Sequence, residues 1–192
     1  MSMTRKLLIG AATLMTSVSV ILLPVEAAHA VDDPAARDRC AAGEPANFDS
    51  GTFSAGGNNH TRFDLPEQMF HNDGFRITSF GYITIDYWST RKDVGGDRTP
   101  APSHWPLPGH NQFMLIAKVD KGEVIVGRTR FGTNQWFPVG RDSGCIWYLR
   151  TSPITTDNPS AFLTFAFNDP NIGDNGGFGN VRVRQWFCAI CA

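Results

Sequence analysis

Residues 168–175, Asn168-Asp169-Pro170-Asn171-Ile172-Gly173-Asp174-Asn175, gather two carboxylates and three amides into one short stretch. Hard oxygen donors at that density are the mixture calcium takes to reach six to eight ligands, with glycine leaving backbone carbonyls accessible. Asp169 and Asp174 would largely balance the charge of the ion. The same residue types are also the commonest turn formers for conformational reasons alone, so a solvated turn is the competing reading. An EF-hand does not fit, because the twelfth loop position falls on Asn180 rather than an acid and the flanking runs are strand-like.

Other chemistry is poorly supported. Gly140-Arg141-Asp142-Ser143-Gly144-Cys145 contains the Asp-Ser-Gly found around serine-protease nucleophiles. His60, His71, His104 and His110 lack the local signature of those enzymes, however, and Gly-x-Ser-x-Gly is absent. Asp142-Ser143-Gly144 therefore reads as a tight turn ahead of a strand beginning at Cys145. Asp86, Asp93 and Asp97 could furnish glycosidase carboxylates, but their spacing marks no pair. No His/Cys set has zinc-ligand spacing. The expectation is a protein without catalysis.

The elements that must position these residues are short strands. From Phe75 to Tyr87 apolar and polar residues alternate at period two on either side of Gly81, as in a half-buried strand bent at the glycine. Phe113 to Val119 and Glu123 to Val126 flank Asp120-Lys121-Gly122 and predict a hairpin. Cys145 to Leu149, Ala161 to Phe167 and Val181 to Arg184 are further strand-like runs. Residues 95–109 are too rich in proline and glycine for regular structure, and long loops of this kind are usually functional or disordered. The five tryptophans are expected mostly in the core or at its rim, with Trp105, hemmed by prolines, partly exposed. No segment has a helical period. The pattern predicts an all-β fold, a jelly-roll-like β-sandwich.

The amino terminus carries Arg5 and Lys6, an apolar run from Leu7 to Leu23, and Ala28-His29-Ala30. This reads as a signal peptide over residues 1–30 rather than a membrane span. An irregular lead over 31–57 and a sandwich over 58–192 would follow, secreted or periplasmic, with no membrane contact after cleavage. A net charge of −1 without any Lys/Arg-rich run argues against a nucleic-acid partner. Cys40, Cys145, Cys188 and Cys191 predict two disulfides with three possible connectivities. One arrangement, pairing Cys40 with one of the terminal cysteines and Cys145 with the other, would tie both chain ends to the body.

Asn168-Asp169, Asp174-Asn175-Gly176-Gly177 and Val181-x-Val183, with Gly81, Pro106-Leu107-Pro108-Gly109 and Phe137-Pro138-Val139-Gly140, resemble the bacterial calcium-dependent galactophilic lectins and their galactose-binding-like sandwich relatives. The likeness spans roughly residues 62 to 187. It implies a calcium ion at one end of the sandwich, held by the side chains of Asp169, Asp174 and Asn175 and by carbonyls near Ile172 and Ile85. Sugar hydroxyls would complete the shell. Those lectins place a His-Pro pair and a glutamine after Gly-Asp-Arg. This chain has Gly96-Asp97-Arg98-Thr99-Pro100-Ala101-Pro102, which keeps only the proline.

A galactose-like sugar or glycan is therefore the expected partner, without its identity being given. Thr99 and Pro100 would lie beside it, and His104 or Trp105 would bond to or stack on the ring. Lectins commonly offset weak single-site affinity by multivalency, so a homo-oligomer is compatible, though no interface is readable. The alternative is an exported structural or interaction domain in which calcium only stiffens the terminal loop.

Overall fold

In the computed structural model the alternating runs become strands of two stacked antiparallel sheets, described over residues 36–64, 71–149 and 161–188. The expected signal peptide and Cys191 lie outside the described residues. In chain order the elements are helix α1 (Ala36–Ala42), then β1 (Phe48–Gly56), β2 (Thr61–Asp64), β3 (Gly74–Thr84), β4 (Arg91–Asp93), β5 (Asp97–Pro100), β6 (Asn111–Gln112), β7 (Leu115–Val119), β8 (Glu123–Val126), β9 (Thr129–Phe131), β10 (Phe137–Pro138), β11 (Asp142–Leu149), β12 (Phe162–Phe167) and β13 (Gly176–Trp186). A 3-10 turn, Ile172–Asp174, precedes β13.

The larger sheet runs β1-β13-β3-β11-β8-β9, with β4 on the far half of β3; the smaller runs β10-β7-β12-β2; β5 and β6 form a separate ribbon. The core lies between the sheets. Phe75, Ile77 and Ile83 of β3 and Val181 and Val183 of β13 meet Leu115, Ala117 and Val119 of β7 and Leu163, Phe165 and Phe167 of β12. Each of these side chains larger than alanine contributes roughly 1.5–3 kcal/mol by leaving water. The small sheet is buried on its second face too, where Leu107 from the proline-rich loop and Met114, just before β7, cover Ile116 and Ala166.

Several expectations are corrected. Within the lead over 31–57, α1 packs Ala36 and Cys40 on Trp186, and Phe48–Gly56 is an edge strand paired with β13. β7 and β8 are not a hairpin: β7 pairs with β10 and β12, whereas β8 pairs with β9 and β11. The turn at Asp120-Lys121-Gly122 carries the chain from one sheet to the other, so both strands can present valines to one core. Asp97–Pro100 is a short strand inside the stretch expected to be irregular. Cys40 pairs with Cys145, which fastens α1 to β11. Cys188 is also disulfide-bonded, its partner lying outside the described residues.

Asp142-Ser143-Gly144 is a β-bulge within β11, not a turn before it. The tripeptide recurs as Asp49-Ser50-Gly51 in β1, again at a bulge. In both copies the glycine has positive φ, 64° at Gly51 and 66° at Gly144, which a side chain would strain. The glycine N–H donates to the aspartate Oδ1 at 3.0 and 2.9 Å. The serine Oγ accepts a neighbouring-strand amide, from Val183 at 2.8 Å and from Ile77 at 2.9 Å. Each aspartate takes an arginine, Arg182 for Asp49 and Arg76 for Asp142.

Candidate functional site

Strand β12 delivers Asn168 and Asp169 to one end of the sandwich. Asn168 is fully buried, and its side chain is saturated: Oδ1 accepts the Leu107 amide at 2.9 Å, and Nδ2 donates to the Leu107 and Asn111 carbonyls, both at 3.0 Å. Its backbone also bonds Met114 and Phe113. Asn168 is thus the latch that fixes the proline-rich loop against β12, and through it His104 and Trp105 reach the neighbourhood of Asp169. Trp105 is half-buried, edge-on to Phe113 at 5.2 Å.

The chain then tightens. Asp169, 6% exposed, accepts the Asn171 amide on Oδ1 at 2.9 Å. Asn171 Nδ2 donates to Asp174 Oδ2 at 2.7 Å, and the Asn175 amide closes the 3-10 turn on the Ile172 carbonyl at 3.2 Å. Asn175 Nδ2 reaches the Gly57 carbonyl at 3.3 Å. Gly57 itself must be glycine, because a Cβ there would lie 2.4 Å from the Gly176 carbonyl oxygen. Since Gly176 pairs with Thr84, Asn175 comes next to Ile85 across the sheet, and the amide of Ile85 is held by the Thr90 carbonyl at 3.0 Å.

Two atoms in this corner have no hydrogen-bond donor. Asp174 Oδ1 and Asn175 Oδ1 are buried and unpartnered; among the described residues only one other buried side-chain acceptor, Gln185 Oε1, shares that condition. A buried acceptor without a donor costs about 1–3 kcal/mol. Two on consecutive residues, beside the Ile172 carbonyl that closes the turn, are oxygens of the hard type that calcium takes. Among the described residues no three His, Cys, Asp or Glu side chains cluster as a metal site, so amide and carbonyl oxygens would have to complete any coordination here.

Beside the corner is an open cavity of about 390 Å³. The terminal loop contributes Asp169, Pro170 and Ile172 to its wall, the proline-rich loop His104, Trp105 and Pro106, and the rest includes His60 and Trp136. His60 and Trp136 were not anticipated. They meet edge-to-face at 5.4 Å, and Lys118 Nζ lies 4.8 Å from the Trp136 ring. A tryptophan in the polar turn Asn134-Gln135-Trp136 was the available signal, since such a position offers little apolar cover. The structure therefore brings Asp169, Ile172, His104 and Trp105 together, keeps Asp174, Asn175 and Ile85 in the adjoining corner, and leaves Thr99 and Pro100 exposed on β5, outside the cavity wall.

The carboxylates considered for hydrolysis all have structural partners. Asp93 receives a two-pronged contact from Arg141 at 2.8 and 2.9 Å, which holds its carboxyl below the ordinary value. Asp97 takes Lys92 at 2.6 Å, and Asp86 Oδ1 accepts the Trp88 and Thr90 amides of its own turn. The Ser143 hydroxyl is committed to backbone on both sides.

No family model matches the chain, and no curated protein matches it. Among solved structures it is similar to one described as "EclA N-terminal domain; PllA-like lectin", at 16% identity and a TM-score of 0.36, covering 70% of this chain and 94% of that one. At that level the likeness assigns neither ligand nor site.

Proposed function

We propose that this chain is an exported, calcium-dependent carbohydrate-binding protein that works without catalysis. The observation carrying the reading is the pair of buried, donor-less oxygens, Asp174 Oδ1 and Asn175 Oδ1, adjoining a cavity walled by Trp105, Trp136, His60 and His104. Asp174 and Asn175 would hold the ion, with Asp169 between corner and cavity. Bound there, calcium would supply positive charge and exchangeable positions for sugar hydroxyls. The indoles offer apolar faces to the C–H side of a sugar ring, and the imidazoles offer hydrogen bonds that orient it. Export rests on the Leu7–Leu23 run with its Ala-x-Ala and agrees with the Cys40–Cys145 disulfide, a bond of oxidising compartments.

One observation favours the second reading, calcium as a loop stiffener only: Asp174 and Asn175 do not themselves line the cavity. Titration calorimetry with calcium, followed by a panel of sugars with and without chelator, separates the two. Asp174→Ala should abolish both ion and sugar binding. Sugar binding that survives chelation would sink the coupling of the two.

A further inference from the structure

A second open cavity, of about 430 Å³, shares Pro106 and Trp136 with the first and no other residue. Those two side chains are therefore the ridge between two hollows, each within the ~300–1,000 Å³ usual for ligand sites. The rest of the second wall comes from Leu107, from Arg130 and Phe131 of β9, and from Asn134 and Gln135 in the loop before β10. The ridge is fixed from below, because Trp136 packs against the cluster of Leu107, Met114, Ile116 and Ala166. Asn168 clamps Leu107 by both its amide and its carbonyl, so one buried residue sets the wall of the second cavity while its neighbour Asp169 lines the first. The loop is equally restrained. Gly132 N–H donates to Gln135 Oε1 at 2.6 Å, its carbonyl accepts the Gln135 amide at 3.0 Å, the Asn134 amide reaches the Val119 carbonyl at 2.8 Å, and Thr133 Oγ1 donates to the Gly122 carbonyl at 2.6 Å. A ledge tied in this way loses little freedom when a ligand arrives.

The polar groups on this ledge are mostly donors. Gln135 Oε1 is taken by Gly132, which leaves Nε2 to donate. The Asn134 side chain makes no hydrogen bond among the described residues, and it is exposed. Arg130 gives Nε and one Nη to Glu123, so its charge is balanced while its other Nη keeps both N–H groups. With the only charged side chain of the wall already paired, the cavity does not call for an anionic ligand. Neutral hydroxyl and ring oxygens match such donors, and the indole and proline of the ridge match the C–H face of a sugar. Because Trp136 borders both hollows, a second ring linked to one held in the first cavity would lie over the ridge and against the ledge. A single ring reaches only one of the two.

We propose that the site extends across Pro106 and Trp136 and takes a neutral glycan of two or more linked sugars, the second of them held by Arg130, Asn134 and Gln135. This rests on the carbohydrate reading above and adds to it the length and direction of the ligand. Titration calorimetry on the calcium-loaded full chain with the mono-, di- and trisaccharides of galactose, glucose and N-acetylglucosamine tests it. For the sugar that binds, the disaccharide should bind at least about tenfold more tightly than the monosaccharide. Arg130→Gln and Asn134→Gly should each remove about threefold or more of that gain and leave monosaccharide affinity unchanged, since neither residue lines the first cavity. Glycine keeps the positive φ of 61° at position 134, and both positions are exposed, so each variant should unfold thermally like the parent and serves as a check on the other. Trp136→Ala should weaken both lengths. A disaccharide that binds no more tightly than its monosaccharide, or a gain untouched by either variant, would overturn the extended site and leave the single-cavity reading standing. A parent that binds none of these sugars at any length would instead remove the carbohydrate reading, and the extension with it.

Discussion

Asp49-Ser50-Gly51, Asp142-Ser143-Gly144 and Asp174-Asn175-Gly176 are near-identical in residue type and opposite in outcome. In the two bulges the local polar bonds close: the serine caps the amide that the extra residue would otherwise strand, the glycine amide caps the aspartate, and an arginine neutralises it. In the terminal corner the side-chain nitrogen of Asn175 and one oxygen of Asp174 are bonded, while the second carboxylate oxygen of Asp174 and the amide oxygen of Asn175 are left buried with nothing to accept. Acid, hydroxyl or amide, and glycine do not distinguish a scaffold from a site. A tally of donors against acceptors does, because an interior seldom leaves an acceptor unmet without a reason.

The sharpest way to break this contrast is to add calcium. A ligand bound only by the folded state stabilises it by about 2.7 kcal/mol at a hundredfold excess over its dissociation constant, so a clear rise in melting temperature is expected, and it should vanish in Asp174→Ala. In chelator the same substitution should be close to neutral, since it removes one satisfied oxygen together with one that costs about 1–3 kcal/mol to bury. A Tm unmoved by calcium, or a large loss on Asp174→Ala in chelator, would make the corner an ordinary turn.

The bulges predict the reverse. Ser143→Ala strands the Ile77 amide in a partly buried sheet and should cost about 2 kcal/mol in denaturant unfolding whether or not calcium is present. The hydroxyl donates to the Gly144 carbonyl and accepts the Ile77 amide, so both of its bonds serve the bulge. Indifference to Ser143→Ala would mean that water satisfies the amide and that the bulge is less closed than its geometry implies.

What the sequence made legible follows the range of the interactions involved. Alternation about Gly81 marks β3, and Val181-Arg182-Val183-Arg184 marks β13, because period two is a local property. β1 escaped because Asp49-Ser50-Gly51 reads as a turn until the partner strand supplies its amide. The false hairpin at Asp120-Lys121-Gly122 shows the same limit: a turn fixes a change of direction, but distant residues decide which sheet each strand joins. At the site, the liganding types at Asp169, Asp174 and Asn175 were visible as composition. Their unmet oxygens were not, and neither was the saturated Asn168 that draws the proline-rich loop in. Thr99 and Pro100 came from the resemblance alone, and the β5–β6 ribbon holds them off the cavity wall. His60 and Trp136 needed the fold, since they arrive from a turn before β2 and a loop before β10.

The smallest expected effect concerns the charges that close the bulges. The hydrogen bond from Arg76 holds the Asp142 carboxyl below its ordinary value of 3.8, against a smaller opposing push from burial. A carboxyl whose folded value is depressed binds protons less readily in the folded than in the unfolded chain, so its stabilisation is complete above the ordinary value and fades as pH falls through the lower folded one. Asp142→Asn should therefore cost little at pH 7, on the order of 0.5 kcal/mol for a pair this exposed, and that difference should shrink toward zero as the pH is taken below the carboxylate range. Urea unfolding of parent and variant at several pH values reads it directly. A gap that widens on acidification would reverse the sign and mean that Asp142 is carried neutral, leaving the bulge held by its serine and glycine alone.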